Sequence, residues 1–348
     1  MKRESPKIGY YPAAPSKHPG NSERSGRPSR TAMLRFYGAI AVCACVFVVC
    51  AVLLIRYYAN IAASRHASEQ LGEIYQSSLA ATDAPTETLP SSSGPTAAPR
   101  VTPLPTQAQT PTPAAQASAA PAGADELWPT VYPDNPKLKV SAVFDELQAQ
   151  NRDIVAWLKL EGELEEPVVQ RDNVYYLTHN ALCQKSITGA LFLDETCDLI
   201  HVPTQMVVHG HNMKEGAMFG CLKKYKVKGA AYYKEHAYID FNTLYENGRY
   251  VIFAVAEVDI RSGHPYYLPF WQYSRFADEK QFTDYVASVR ACSMYRCKVD
   301  VQPGDRLLTL STCTGTDDNM RLVVMARKIR PDENLLDLNM AVMSTVDK

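Results

Sequence analysis

The run FYGAIAVCACVFVVCAVLLI, residues 36–55, holds no charged residue and limits what this chain can become. About 20 apolar residues in helical form are long enough to cross the hydrocarbon of a bilayer. A helix also satisfies its own backbone hydrogen bonds there, which an irregular segment does not. The residues before it carry Lys2, Arg3, Lys7, Lys17, Arg24, Arg27, Arg30 and Arg35 against only Glu4 and Glu23. A basic flank predicts a cytoplasmic tail over 1–35 and a single-pass signal anchor in the cell membrane over 36–56, with the rest of the chain outside. Tyr57 and Tyr58 suit the outer interface. A cleaved signal peptide is the rival reading. Its apolar region is usually about 7–15 residues, and IRYYANIAASRHA supplies small residues for cleavage.

Beyond the anchor, residues 57–126 read as an extracellular stalk. From 82 to 126 Ala, Pro, Thr, Ser and Gln dominate, without periodicity, and such a composition cannot bury enough apolar surface to fold. A short helix is expected before it, over 61–81. The globular part is assigned to 127–335, with a C-terminal tail over 336–348. Its hydrophobic share is ample, since the whole chain is 46% hydrophobic. The formal net charge of -1 argues against nucleic acid as a partner.

Within the globular part the pattern predicts a helix at 142–150 and strands near 154–160, in EEPVVQ, in GALFLDE, and at 204–210, 249–260, 305–313 and 321–329. One segment, 275–292, has Phe276, Phe282, Tyr285, Val286 and Val289 on one helical face. Many short strands and few helices predict a mostly β fold, a barrel with helical insertions.

The chemistry concentrates in LLTLSTCTGTDDNMRLVVMA, residues 307–326, where Cys313 ends one apolar run and Arg321 begins the next. A cysteine there is either a buried small hydrophobe or a nucleophile beside a cation. A thiol nucleophile needs a base. MVVHGHNMKEGAMFGCL, 206–222, offers His211 on a loop that leaves a strand, a position from which a rigid sheet presents functional groups. His209 reads as a strand-end residue that packs or meets solvent. The pair could also be half of a metal site, but no companion ligand motif accompanies it. Asp317 and Asp318 either orient His211 or Arg321 or form a solvated turn. Cys183, Cys197, Cys221, Cys292, Cys297 and Cys313 fall in the extracellular part. Cys183 and Cys197 are either a disulfide or two free thiols, and a nucleophilic Cys313 must stay unpaired.

Together, NRDIVAWLKLEGELEEPVVQRDNVYYL (151–177), GALFLDE (189–195), GHNMKEGAMFGCLKKY (210–225) and TLSTCTGTDDNMRLVVMARKI (309–329) resemble the class B sortases, membrane-anchored cysteine transpeptidases of Gram-positive bacteria. The resemblance spans roughly 140–330. It implies a closed β-barrel of about eight strands, with N-terminal helices and a helix in the long connection before the Cys strand. It also implies a catalytic set of His211, Cys313 and Arg321. Asn173, Leu177 and Ser311 match groove-lining positions, and Tyr266, Tyr267 and Leu268 fall in the connection that forms another groove wall. The implied partners are surface proteins or pilins bearing a sorting signal, and an amine acceptor from a peptidoglycan precursor or pilin. The implied reaction needs no cofactor and no metal. The family commonly has an aromatic where His209 stands. An extracellular cysteine peptidase, and a catalytically weak stalked binding module on the same fold, remain as alternatives.

Overall fold

The computed structural model describes residues 30–83, 132, 134–201, 203–315, 317 and 319–348. The basic tail up to residue 29, the Pro- and Thr-rich stretch from 84 and Asp318 lie outside the described residues. The chain divides into two compact units, one ending at Arg56 and one beginning at Tyr57. In the first, the opening part of helix α1 (Arg30–Asp83) exposes Val46, Phe47, Leu53 and Leu54 on successive faces. A helix apolar all round is a helix for a nonpolar solvent. The segment Met33–Thr82 contains an eighteen-residue window of mean hydropathy 3.0, long and apolar enough to cross a membrane.

In the second unit, the last part of α1 covers residues 57–83, so the helix expected over 61–81 is present and begins the segment assigned to the stalk. The reason lies in the spacing. Ala67, Leu71 and Tyr75 recur every four residues and are all buried. Tyr75 stacks flat on Trp157, ring centres 4.2 Å apart, and joins Phe144 and Leu147 in one cluster. Nearby, Ser64 and Ser186 share a hydroxyl hydrogen bond, while Asn60 donates to the Lys185 carbonyl and accepts from the Ile187 N–H.

The core is a closed barrel of eight strands: β1 (Ile154–Leu160), β2 (Leu164–Val169), β3 (Leu191–Leu193), β4 (Gln205–His209), β5 (Tyr238–Thr243), β6 (Arg249–Asp259), β8 (Leu307–Cys313) and β9 (Met320–Lys328). Around the barrel the order is β1-β2-β3-β4-β8-β9-β6-β5. Closure removes the exposed strand edges that an open sheet would carry. Two pairs, β2–β3 and β4–β8, are parallel, and the other six contacts around the ring are antiparallel. Strands β6, β8 and β9 are almost wholly buried, which the apolar runs YVIFAVA and LVVMA reflect in β6 and β9, while β8 buries Thr309, Ser311 and Thr312 beside its leucines.

Outside the barrel, α2 (Asp145–Gln150) precedes β1, and α4 (Glu279–Cys292) lies in the connection before β8, as expected from its apolar face. Asp278 caps α4, its side chain accepting from the Gln281 N–H. Three further elements complete the fold: α3 (Lys223–Glu235), α5 (Leu335–Met343) and a small two-stranded sheet of β7 (Tyr295–Arg296) with β10 (Val346–Asp347). The stretch read as a C-terminal tail therefore holds a helix, which buries Leu338 and Val342.

Candidate active site

Strands β4 and β8 run parallel, so their C-terminal ends lie at the same rim of the barrel. Their register pairs His209 with Ser311, two residues before Cys313. On the other side of β8, antiparallel β9 sets Arg321 directly opposite Cys313. The loop leaving β4 is fastened to the same strand end. Gly210 N–H donates to the Ser311 carbonyl (3.2 Å), Thr312 Oγ1 donates to the Gly210 carbonyl (2.7 Å), and Asn212 Nδ2 donates to the Cys313 carbonyl (2.9 Å). Position 210 has no room for a side chain, since a Cβ there would lie 2.4 Å from Leu191 Cδ2 and 2.8 Å from Phe219 Cδ2.

His211 is half-buried, and its Nε2 lies 2.8 Å from the Leu177 carbonyl oxygen. A carbonyl only accepts, so Nε2 carries the proton and Nδ1 is left as the nitrogen able to exchange one. The ring rests against Gly189, where an added Cβ would stand 3.1 Å from His211 Cδ2 and 2.4 Å from the Tyr176 carbonyl oxygen. Gly189 also has φ +59, which favours glycine on conformational grounds.

Asp194, just beyond β3, is 4% exposed and gathers the opposite wall. Its carboxylate accepts from His209 Nε2 (3.0 Å), Asn173 Nδ2 (3.1 Å), Thr196 Oγ1 (2.7 Å) and the Thr196 N–H (3.0 Å). Burial alone would raise its pKa. The hydrogen bonds from His209 and Thr196 outweigh burial and hold it at about 2. His209 therefore does not simply pack or meet solvent; it is tied to a buried carboxylate, with its ring against Phe192.

These groups line one cleft of about 340 Å³. Of the residues singled out in the sequence, it brings together Asn173, Leu177, His211, Ser311, Cys313 and Arg321. It adds Phe192, Asp194, His209, Ile260, Phe270 and Trp271, none of which the sequence motifs assigned to it. Tyr266, Tyr267 and Leu268 are not part of it. Leu268 is buried in the core, Tyr266 is exposed, and Tyr267 borders a separate depression against α4. Arg321 Nη1 donates to the Met320 carbonyl (3.2 Å), and Cys313 is half-buried. Asp317 orients neither His211 nor Arg321 by any direct bond described; it accepts from Arg261 Nη2 (3.1 Å) and from the Asn319 N–H (2.8 Å). Among the described residues every cysteine is a free thiol, with Cys183 exposed and Cys197 buried, so the disulfide between those two is not formed.

Residues 161–329 match the Sortase domain family. Sortase B of Listeria monocytogenes is 32% identical over 188 residues, which cover 53% of this chain and 73% of that protein. Sortase B of Staphylococcus aureus is 26% identical over 191 residues, covering 54% and 75%. The solved structure of the Listeria monocytogenes protein matches with a TM-score of 0.46 at 32% identity, over 52% of this chain and 98% of that one.

Proposed function

Because this chain belongs to the class B sortase family, the cysteine transpeptidases, we propose that it cleaves a C-terminal sorting signal and transfers the shortened protein to an amine. In this reading Cys313 Sγ attacks the carbonyl carbon of a Thr-like residue in the signal. The C–N bond breaks, and the acyl group is held as a thioester. His211 takes the Cys313 thiol proton on Nδ1, gives it to the departing amine, then takes one from the incoming amine as the new amide forms and returns it to the released thiolate. Arg321 turns its planar fork toward the oxyanion that develops on the carbonyl oxygen. Asn173, Leu177 and Ser311 hold the peptide. The acceptor amine belongs to a peptidoglycan precursor or to a pilin lysine, and the substrate is a surface protein or pilin. Residues 36–56 anchor the chain in the bilayer with residues 1–35 in the cytoplasm, and 127–335 act outside.

One observation carries this reading: Cys313 and Arg321 oppose each other across the β8–β9 ladder at the same cleft that His211 lines. Everything else is supporting chemistry. The deciding experiment incubates the full chain in detergent with a library of sorting-signal peptides, with and without an added amine, and identifies the products by mass spectrometry. Amide product that vanishes in Cys313→Ala supports the transpeptidase. Product that is entirely hydrolysed across a range of amines favours an extracellular peptidase. No cleavage at all favours a binding module.

A further inference from the structure

We infer that Asn60 and Ser64 of α1 are positioning residues for His211: they clamp the loop between Leu177 and Gly189, and that loop supports the imidazole ring on two sides. This inference rests on the reading that His211 is the acid and base.

Both supports of the ring come from one short stretch of chain. Leu177 supplies the carbonyl that accepts from Nε2, and Gly189 supplies the surface the ring rests against. The two ends of the stretch are joined within the loop. Ser186 N–H donates to the Thr178 carbonyl (2.9 Å), and Ala190 N–H donates to the Tyr176 carbonyl (3.0 Å). Thr178 adjoins Leu177, and Thr188 adjoins Gly189. Whatever fixes Ser186 therefore steadies both supports.

Ser186 is fixed from α1. The Asn60 side chain brackets it, with Nδ2 donating to the Lys185 carbonyl (3.2 Å) and Oδ1 accepting from the Ile187 N–H (2.8 Å). A side-chain amide carries donor and acceptor together, so one residue holds the backbone on both sides. Ser64, Ser186 and Thr188 are all buried, and their hydroxyls form a chain. Ser64 Oγ lies 2.5 Å from Ser186 Oγ, which lies 2.7 Å from Thr188 Oγ1. The far end sets the direction of the chain. Thr188 Oγ1 meets the Gly189 carbonyl (3.4 Å), which only accepts. Each hydroxyl has a single proton, so Thr188 donates to Gly189, Ser186 to Thr188, and Ser64 to Ser186. The chain starts on α1 and ends at Gly189, beside the ring. Among the described hydrogen bonds, those that tie 185–188 to another element all come from Asn60 and Ser64.

The helix does not need these bonds to dock. Asn60, Ser64, Ala67, Leu71 and Tyr75 form one stripe at helical spacing. Its three last members bury against the barrel and hold the helix; its two polar members reach the loop that supports His211.

The test uses the full chain in detergent. Hydrogen exchange read by mass spectrometry should show residues 177–190 exchanging about tenfold faster in Asn60→Leu, with β8 and β9 unchanged. Leucine keeps the bulk of asparagine and removes only its polar bonds. The kcat for sorting-signal cleavage should fall about tenfold in that variant, within the ~10² that an ångström of misplacement costs. Ser64→Ala should lose about fivefold, the scale of one hydrogen bond, and Ser64→Thr, which keeps the hydroxyl, should stay within about twofold of wild type. Gln76→Ala cuts a bond from α1 to Glu165 (2.7 Å), well beyond Ser64 along the helix, and should change neither readout. Added to Gly189→Ala, Asn60→Leu should cost less than about a further twofold, because the support it would loosen is already lost. The thermal midpoint of each variant checks that it is folded. The inference is overturned if exchange over 177–190 does not change in Asn60→Leu, or if its kcat matches wild type. It is equally overturned if Gln76→Ala reproduces the effect, or if the double variant shows the two single losses multiplied. A wild type that cleaves no peptide sinks the transpeptidase reading instead; exchange needs no substrate and still decides whether the clamp holds the loop.

Discussion

Cys313 and Arg321 are directly opposed across an antiparallel ladder, so sheet geometry sets their separation and the loop between them does not. Opposite Cα atoms in such a pair stand about 4.5–5.5 Å apart. A lysine at 321 would keep the charge at that spot and lose the planar fork. Arg321→Lys is expected to lower turnover by at least ~10², the scale of losing one oxyanion donor. Steady-state cleavage of a sorting-signal peptide measures it, and near-wild-type turnover would show that any nearby positive charge suffices.

Gly189 supports the ring of His211, a role that no sequence pattern assigns to it. In Gly189→Ala the new Cβ meets the Tyr176 and Leu177 carbonyl oxygens at 2.4 and 3.1 Å and the ring at 3.1 Å, in a backbone conformation of positive φ. A destabilisation of about 1–3 kcal/mol is expected in urea unfolding. Turnover should fall further than the population of unfolded chain explains, because the Leu177 carbonyl that holds Nε2 is displaced. Unchanged turnover in the folded fraction would mean that His211 does not depend on this contact.

The acid limb of the stability curve should carry the signature of Asp194. Its folded pKa lies below the ordinary carboxylate value, at about 2. A depressed carboxylate contributes stability that is present above about pH 4 and is lost as pH falls toward 2. The shift corresponds to about 2 kcal/mol. Urea midpoints measured from pH 5 to pH 2 should therefore fall more steeply for the wild type than for Asp194→Asn. Asp259, which is also held at about 2, titrates in both proteins and cancels in the comparison. Parallel curves would show that the His209 and Thr196 bonds do not hold the carboxylate as described.

Alkylation should sort the thiols by burial. Burial pushes the Cys197 and Cys221 thiols up to about 12, which leaves almost no thiolate at pH 8. A brief iodoacetamide pulse on the native chain, followed by peptide mapping, should label Cys313 and exposed Cys183 and spare Cys197 and Cys221. Cys313 recovered in a stable disulfide would count against its role as nucleophile.

The barrel could be read from the sequence wherever burial was total. Strands β6 and β9 contain continuous apolar runs and β8 alternates leucines with small hydroxyl residues, and their predicted limits fall within a few residues of those observed. Strand β5 went unread because Asp240 and Asn242, residue types depleted in strands, mask the alternation of its six residues YIDFNT. Helix α3 was hidden by Gly229, whose φ of 67 breaks the helical period in the middle of the segment. At the cleft, His211, Cys313 and Arg321 were visible because Cys313 ends β8, Arg321 lies at the start of β9 and His211 follows β4 by two residues, each within a recognisable motif. Asp194 was not, because its meaning lies in contacts with Asn173, Thr196 and His209, three side chains that converge only through the β3–β4 pairing and the loops around it. Tyr266, Tyr267 and Leu268 were placed in a groove wall because the connection that holds them resembles the family's, whereas Ile260, Phe270 and Trp271 on either side of them line the cleft.

The stacking of Tyr75 on Trp157 bears on where a working fragment of this protein can begin. A fragment started at residue 127, where the sequence composition turns globular, would lack the helix that covers Trp157, Phe144 and Leu147. An uncovered apolar patch on a small domain invites self-association. Such a fragment would be sticky in solution for a reason unrelated to its chemistry. Started at Tyr57 instead, the soluble piece carries its own cover and omits the apolar segment before it.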